Sequence, residues 1–256
     1  MVVKKGEKPM VAFGKQSAIA LVLCAGAASA AEIPISPGPA AAEKLQEALI
    51  LSEPGDVISL AAGRYALVDG LSLDVDGVTL RGAGSGETIL DFGDQKGGGE
   101  GLLVTSDKVV LEDFAVENAK GDAIKSKGSD EITFRRLRIE WTGGPSAENG
   151  AYGLYPVQSK NVLIEDSYVA GASDAGIYVG QSDNIVVRRN RVAFNVAGIE
   201  IENSFHADVH ENVATRNTGG ILVFDLPNLE QMGGHSVRIF DNEIVDNDTD
   251  NFAPEG

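Results

Sequence analysis

The sequence has almost no cysteine, few basic residues and no hydrophobic run long enough to cross a membrane. The single cysteine, Cys24, excludes a disulfide framework. The 21 basic residues face 38 acidic residues, for a formal charge of −17. This balance argues against a general nucleic-acid binder, which needs a basic face to neutralise phosphates. The apolar run at residues 18–26 is too short for a membrane span, which takes about 20 residues, and no later stretch is apolar enough.

Glycine, by contrast, is abundant. The chain has 31 glycines in 256 residues, about 12%, where about 7% is ordinary. The glycines have no collagen-like period, and a hydrophobic content of 43% is too high for a disordered chain. The length allows one large domain or two small ones.

The first 30 residues are organised like a secretory signal peptide. Several lysines precede the apolar run at residues 18–26, and Ala-Ser-Ala at residues 28–30 fits a cleavage site. Leu23 precedes Cys24 where a lipoprotein anchor needs a small residue, so we expect simple cleavage. The sequence therefore predicts a signal peptide at residues 1–30, a mature domain at residues 31–256, and a product that is periplasmic or secreted.

A short motif recurs along the chain, in which a small residue is followed by alternating apolar residues. The motif begins at Gly101, Ala123, Gly153, Gly176, Gly198 and Gly220. The intervals are 22, 30, 23, 22 and 22 residues, and the long one contains a loop of turn residues at 142–150. The segments are short and rich in β-branched residues, as is typical of strands. A unit of this size cannot bury its apolar face alone, so we expect the units to stack.

The spacing predicts an all-β fold, a parallel β-helix with regular coils at about residues 101–247. The pattern of a leucine-rich repeat, which has a similar period, is absent. Two series of asparagines share a repeat position, Asn190, Asn212 and Asn242 in one and Asn195, Asn217 and Asn247 in the other. Stacked asparagines can form amide ladders at turns. The alternative, that asparagine simply suits turns, does not explain the common register.

The start of the mature chain differs from the repeats. Residues 40–51 are good helix formers with Leu45, Ala48 and Leu49 on one face, and Pro-Gly follows at residues 54–55. We expect a helix at about residues 40–51 that caps the first coil, as terminal units of a stack do. No comparable cap follows the last repeat. Either the tail folds over the end, or the chain is the N-terminal part of a longer β-helix.

The helix, the segment at residues 55–65 and the coils resemble the right-handed parallel β-helix repeat proteins of the pectate-lyase-like superfamily. The resemblance covers about residues 39–251. Within it, residues 152–166 resemble exported bacterial β-helix proteins of unassigned function and, more distantly, the periplasmic mannuronan C5-epimerases. Periplasmic copper-accessory proteins with the same repeats resemble the chain by fold only.

The epimerase motif, Tyr-Gly-x-Asp-Pro-His-Asp, matches this sequence only in part. Tyr152, Gly153 and Pro156 agree with the motif. Its acids and its histidine are replaced by Tyr155, Val157 and Gln158. The resemblance therefore implies the fold and a polysaccharide substrate class, but it does not carry the catalytic residues of the epimerases to this chain.

Strand alternation predicts which side chains of each coil face outward. Ile199 and Ile201 are expected to point inward. One outward row is Leu103, Lys125, Tyr155, Tyr178, Glu200 and Leu222, and the row two residues further on is Thr105, Lys127, Val157, Gly180, Glu202 and Phe224. Tyrosine rings stack on sugars, and carboxylates accept hydrogen bonds from hydroxyls. The predicted substrate-binding residues are therefore Lys125, Lys127, Tyr155, Tyr178, Glu200 and Glu202. The alternative is an ordinary solvated sheet face.

The same region offers candidates for catalysis. A lyase or epimerase needs a base for the sugar C5 proton and a cation beside the uronate. The candidates are Lys125, Tyr155, Glu200 and His206. Glu200 and Glu202 lie about 6.6–6.8 Å apart along one strand, close to the separation in an inverting glycosidase, but two neighbours on a flat strand flank a glycosidic bond poorly.

Two metal hypotheses remain open. His206 and His210 lie close in sequence to Asp208 and Glu211, which suggests a copper or zinc site, although nothing in the sequence shows that the two rings converge. Residues 246–251 resemble the start of a calcium loop but lack the glycine at its sixth position, so Ca²⁺ binding there would be weak.

Three functions follow from these patterns. The first is an exported module that binds a polysaccharide on the outward face formed by the first strands of the repeats, where the two outward rows lie. The second is a polysaccharide lyase or C5-epimerase-like enzyme that acts on the same face. The third is a periplasmic accessory protein that delivers a metal. None of the patterns requires a cofactor, and a partner protein is compatible with each function.

Overall fold

The computed structural model describes residues 1–2 and 30–254. The predicted signal peptide lies almost entirely outside these residues. The described chain contains one helix, α1 (Ala41–Leu51), and 24 strands arranged in three sheets. None of its helices is long and apolar enough to span a membrane.

The three sheets run the length of a solenoid. The nine-stranded sheet contains β1 (Glu32–Ile35), β2 (Val57–Leu60), β5 (Thr79–Arg81), β8 (Val110–Glu112), β11 (Asp130–Arg135), β14 (Lys160–Glu165), β17 (Asp183–Arg188), β20 (Phe205–His210) and β23 (His235–Phe240). The seven-stranded sheet contains β4 (Leu71–Leu73), β7 (Leu102–Val104), β10 (Ile124–Lys127), β13 (Tyr152–Val157), β16 (Ala175–Gly180), β19 (Ala197–Glu202) and β22 (Gly219–Phe224). The eight-stranded sheet contains β3 (Gly63–Ala66), β6 (Thr88–Asp91), β9 (Ala115–Glu117), β12 (Arg138–Glu140), β15 (Tyr168–Ala170), β18 (Arg191–Ala193), β21 (Val213–Thr215) and β24 (Glu243–Val245).

The predicted parallel β-helix is confirmed. Each coil adds one strand to each sheet, and every strand pairs in parallel with the strand one coil away. Ile177 pairs with Ile199, and Ile199 pairs with Ile221, so the apolar side chains form rows inside the coil. Ile177 and Ile199 are fully buried, and Ile201 is 1% exposed, as the alternation predicted.

The predicted asparagine ladders are also present. The side-chain N–H of Asn190 donates to Asn212 Oδ1 at 3.1 Å, and that of Asn212 donates to Asn242 Oδ1 at 3.0 Å. In the second series, Asn195 donates to Asn217 at 3.0 Å and Asn217 donates to Asn247 at 2.9 Å. The ladders therefore tie the turns of successive coils together within the buried part of the solenoid.

Glycine is needed where the second ladder meets the next sheet. A Cβ on Gly176 would lie 2.7 Å from Asn195 Nδ2, and one on Gly198 would lie 3.0 Å from Asn217 Nδ2 and 2.5 Å from the carbonyl oxygen of Gly220. These glycines thus recur because the amide ladder occupies the space that a side chain would fill.

The two ends of the solenoid differ. The helix α1 covers the first coil with Leu45, Ala48 and Leu49, as predicted, and β1 adds a strand to the same end that the repeat pattern did not predict. At the other end, side chains that would be internal in a longer stack are 44–46% exposed, namely Val223, Ile239 and Ile244.

The second asparagine ladder provides a test of what holds the coils in register. In Asn195→Ala, the buried N–H of Ala172 loses its acceptor, and the buried carbonyl of Val169 loses the hydrogen bond from Asn195 Nδ2. Because an unsatisfied buried polar group costs about 1–3 kcal/mol, we expect the free energy of unfolding to fall by about 2–4 kcal/mol in urea titrations. Asn251→Ala, at an exposed site, is the control and should change it by less than about 0.5 kcal/mol. Equal effects of the two substitutions would mean that the ladder is not stabilising.

Candidate functional site

The two predicted outward rows lie on the outer surface of the seven-stranded sheet, hereafter the seven-stranded face. Lys125 is the register partner of Tyr155, Tyr178 is that of Glu200, and Gly180 is that of Glu202. Neighbouring strands are about 4.8 Å apart, so the residues from Lys125 to Glu200 extend over about 14 Å. The structure therefore brings six predicted residues together on one surface, namely Lys125, Lys127, Tyr155, Tyr178, Glu200 and Glu202.

Three tyrosines form a cluster at the centre of this face. The ring centroids of Tyr152 and Tyr155 are 4.7 Å apart, those of Tyr152 and Tyr178 are 4.5 Å apart, and those of Tyr155 and Tyr178 are 4.9 Å apart. Ala175 and Ala197 pack with them, and their small side chains leave room for the rings. The face thus carries an apolar cluster that is separate from the core inside the coil.

Tyr152 is the member of the cluster that the sequence did not assign to the site. Strict alternation back from the buried Leu154 places Tyr152 on the inner side of the sheet. Tyr152 is instead the first residue of β13, where the chain leaves a turn, and its ring packs with the outward rings of Tyr155 and Tyr178. Its place at the start of the Tyr-Gly-x-x-Pro stretch was the available signal.

Lys125 is already neutralised by two carboxylates. Its Nζ lies 3.3 Å from Glu100 Oε1, 3.3 Å from Asp122 Oδ2 and 4.7 Å from the ring centroid of Tyr155. Burial by itself would lower the pKa of Lys125, but the adjacent Asp122 outweighs it and the pKa is raised. Lys125 is therefore a fixed cation and a hydrogen-bond donor rather than a base.

The opposite end of the face carries acidic residues that are unexpectedly buried. Glu200 is 8% exposed and Glu202 is 2% exposed, which is incompatible with the alternative of a solvated face at these strands. The hydroxyl of Tyr178 donates a hydrogen bond to Glu202 Oε2, while Glu202 Oε1 has no hydrogen-bond partner among the described residues. A Cβ on Gly180 would lie 3.2 Å from Glu202 Oε2, so the absence of a side chain at Gly180 makes room for this carboxylate.

Burial raises the pKa values of several acidic and tyrosine side chains around this end of the face. Burial raises the pKa of Glu200 to about 7, and the nearby charges of Asp174 and Glu202 add to the shift. Burial also raises the pKa of Asp174, although a hydrogen bond from Tyr152 opposes the effect. Burial is likewise the main cause of the raised pKa of Tyr152, Tyr155 and Tyr178. The tyrosine hydroxyls therefore stay neutral and act as hydrogen-bond donors at neutral pH, and Glu200 is the group suited to exchange a proton.

Two insertions flank the seven-stranded face. At its amino-terminal edge, the loop at residues 142–150 is anchored by Asn149, whose Nδ2 donates to the carbonyl of Gly171 at 2.6 Å. At its carboxyl-terminal edge, the loop at residues 225–234 is anchored by Gln231, whose Nε2 donates to the carbonyl of Asn203 at 2.7 Å. The second loop also borders a cleft of about 390 Å³ beside the ends of β13 and β16. The face is therefore bordered on both sides along the strand direction.

The histidine candidates lie elsewhere. His206 and His210 belong to β20 in the nine-stranded sheet. The predicted catalytic candidate His206 therefore lies on a different sheet from Lys125, Tyr155 and Glu200. His206 Nδ1 lies 2.8 Å from Asp183 Oδ1, and the ring of His210 stacks on Phe240 with centroids 4.8 Å apart. Among residues 1–2 and 30–254, no three histidine, cysteine or acidic side chains are grouped so as to hold a metal ion.

The sequence model of the family described as "Right handed beta helix region" matches residues 76–230, or 155 of the 256 residues. A comparison with curated proteins gave no significant match.

Solved structures share the fold at low sequence identity. The A-module of the mannuronan C-5 epimerase AlgE4 from Azotobacter vinelandii aligns with a TM-score of 0.65 and 20% identity, over 83% of this chain and 66% of that chain. An alginate lyase from Paenibacillus sp. str. FPU-7 aligns with a TM-score of 0.63 and 22% identity, over 83% and 75% of the two chains. The tailspike protein of E. coli bacteriophage HK620, in complex with a pentasaccharide, aligns with a TM-score of 0.57 and 14% identity, over 81% and 47%. The chain thus spans just under two thirds of the epimerase module and about half of the tailspike chain.

Because the pKa of Glu200 is raised, we predict that ionisation of this carboxyl group destabilises the folded state as pH rises. The folded value of about 7 lies above the ordinary value of 4.5. Between these values the folded state binds more protons than the unfolded state, so this group lowers the free energy of unfolding as pH increases. Glu200→Gln removes the effect. From pH 4 to pH 8 we expect the free energy of unfolding of the wild type to fall by about 1–3 kcal/mol more than that of the variant, measured by urea titration.

The control for this experiment is Glu43→Gln, at an exposed position on α1. This variant supplies the baseline for replacing a solvent-exposed glutamate, against which the pH dependence of Glu200→Gln is compared. A constant difference for Glu200→Gln across the range would contradict the pKa assigned to Glu200.

Proposed function

Because the chain belongs to the right-handed β-helix family, whose model matches residues 76–230, we propose that it binds a polysaccharide along the seven-stranded face. The observation that carries the proposal is the cluster of Tyr152, Tyr155 and Tyr178, with charged and hydrogen-bonding groups on both sides of it. Tyrosine rings stack on the C–H faces of sugars, and the adjacent groups bond to hydroxyls.

The dimensions of the face agree with a chain ligand. Successive strands place side chains at intervals of about 4.8 Å, so the row from Lys125 to Glu200 has the length of two to three sugar residues. The flanking loops at residues 142–150 and 225–234 border the face at the two ends of its strands. A ligand that runs from strand to strand, along the axis of the solenoid, would lie between these loops.

The structural neighbours support this class of ligand without fixing its identity. Their names record a mannuronan epimerase, an alginate lyase and a phage tailspike with a bound pentasaccharide. Uronate polymers therefore belong in any binding panel. The predicted signal peptide would take the protein to the periplasm or outside the cell, where such polymers occur.

A second candidate function is chemical modification of the bound polymer, as in a lyase or epimerase. The observation that favours it is Glu200, whose pKa is raised by burial to about 7, which suits a general acid or base. The departures of Tyr155 and Val157 from the epimerase motif weigh against it. Absorbance of unsaturated uronate products and incorporation of solvent deuterium distinguish catalysis from binding.

Affinity electrophoresis tests the binding proposal. In gels that contain neutral, uronate or amino polysaccharides, at least one polymer should retard the wild-type protein. Tyr155→Ala removes a stacking ring from the centre of the face and should weaken retardation by about 3–10-fold. Tyr168→Ala, which removes a partly buried tyrosine from the eight-stranded sheet, is the matched control and should behave like the wild type.

The binding proposal fails if no polymer retards the wild type. It also fails if Tyr155→Ala and Tyr168→Ala lower the affinity equally, because the ligand would then lie away from the seven-stranded face.

A further inference from the structure

The seven-stranded face has more negative than positive charge, and its charges are unevenly distributed. Five carboxylates, Glu100, Asp122, Asp174, Glu200 and Glu202, share the surface with two lysines, Lys125 and Lys127. The charge of Lys125 is already compensated, because Glu100 and Asp122 each have a carboxylate oxygen 3.3 Å from its Nζ. Lys127 is exposed and lies three strands from Glu202, about 14 Å away, which is beyond the screening length of about 8 Å in physiological salt. Asp174, Glu200 and Glu202 are therefore left without a nearby compensating cation.

This arrangement departs from the way the molecule treats its other buried glutamates, which are all paired with arginines. Glu165, 4% exposed in the nine-stranded sheet, is bonded by Arg135 at 2.7 Å, by Arg188 at 2.7 Å and by Arg189 at 2.8 Å. Burial would raise the pKa of Glu165, but these guanidinium groups lower it to about 2. At Glu200 the neighbouring charges are those of Asp174 and Glu202, which act in the same direction as burial.

A second observation indicates that a hydrogen-bond donor is lacking at this end of the face. Glu202 is 2% exposed, and its Oε1 has no donor among the described residues, although Oε2 accepts from Tyr178. Buried carboxylate oxygens are almost always hydrogen-bonded, and one without a donor calls for a specific explanation. A ligand that presents positively charged N–H groups beside Glu200 and Glu202 would supply both the charge and the donor.

A sugar amine fits this place better than a metal ion or a uronate. The acidic side chains of the described residues are not grouped as metal ligands. A uronate would place its negative charge beside the three uncompensated carboxylates, and like-charge contacts oppose binding. An ammonium group on a sugar ring can pair with the carboxylates, while a neighbouring sugar ring packs on the partly exposed Tyr152 and Tyr155.

We propose that the polysaccharide bound on the seven-stranded face carries protonated amines, as a glucosamine polymer does, and that these amines lie against Asp174, Glu200 and Glu202. The inference rests on the proposed function, because it specifies the ligand of the same face.

The test compares three oligosaccharides of equal length by calorimetry at pH 6, where the amine is protonated. They are a glucosamine oligomer, its fully N-acetylated counterpart and an oligomannuronate. We expect the glucosamine oligomer to bind at least ten-fold more tightly than the N-acetylated one, and the oligomannuronate to bind most weakly. The N-acetylated oligomer has the same backbone without the charge, so this comparison isolates the amine.

Two double variants separate the site from the general attraction of an acidic protein for a polycation. Glu200→Gln with Glu202→Gln should weaken binding of the glucosamine oligomer at least ten-fold and change binding of the N-acetylated oligomer less than three-fold. Glu43→Gln with Glu47→Gln, at exposed positions on α1, replaces the same number of glutamates outside the face and should leave both affinities unchanged. Asp174→Asn is an independent variant that should act in the same direction if the first double variant folds poorly.

The outcomes distinguish the two proposals. If the N-acetylated oligomer or the oligomannuronate binds at the face as tightly as the glucosamine oligomer, the amine inference is wrong and the polysaccharide-binding proposal stands. Equal losses in the two double variants would also overturn the inference. If none of the three oligomers binds and no polymer retards the protein in gels, both proposals fail.

Discussion

The register between successive coils is the constraint on which the rest of this structure depends. Each strand pairs in parallel with the strand one coil away, and the asparagine ladders repeat the same spacing at the turns. Side chains alternate between the two faces of a strand, so a slip of one residue would turn Ile199 outward and bring Glu200 into the core. The buried asparagine side chains oppose such a slip because each donates to the equivalent asparagine of the next coil.

The same register forces side chains on the outer surface into contact, whatever their chemistry. On the nine-stranded sheet it places arginines and glutamates on neighbouring strands, as at Arg135 and Glu165. On the seven-stranded face it places Tyr155 beside Lys125 and Tyr178 beside Glu200. The solenoid therefore supplies a regular array of positions, and the residues placed on each sheet decide whether that sheet is a stabilising surface or a binding surface.

The sequence predicted the repeating part of the molecule because repetition is visible as spacing. The coil length, the inward isoleucines, the asparagine ladders and the outward rows all follow from intervals of about 22 residues. The burial of Glu202, the neutralisation of Lys125 by Glu100 and the place of Tyr152 were not predictable in this way. They depend on side chains from different coils and on the start of a strand, where strict alternation fails. His206 shows the same limit, since its position in the sequence did not reveal that it belongs to another sheet.

The contrast between Glu165 and Glu200 gives the strongest physical reason to place function on the seven-stranded face. Both side chains are almost fully buried, at 4% and 8% exposure, and burial alone raises the pKa of each. Guanidinium groups reverse the effect at Glu165, whereas carboxylates reinforce it at Glu200. Because the chain supplies arginines to its buried glutamates on the other two sheets, the missing cation at Glu200 is a local feature of this face rather than a general property of an acidic protein. Groups held in an unfavourable electrostatic environment cluster at functional sites, because a bound ligand can supply the compensating charge that the folded chain does not.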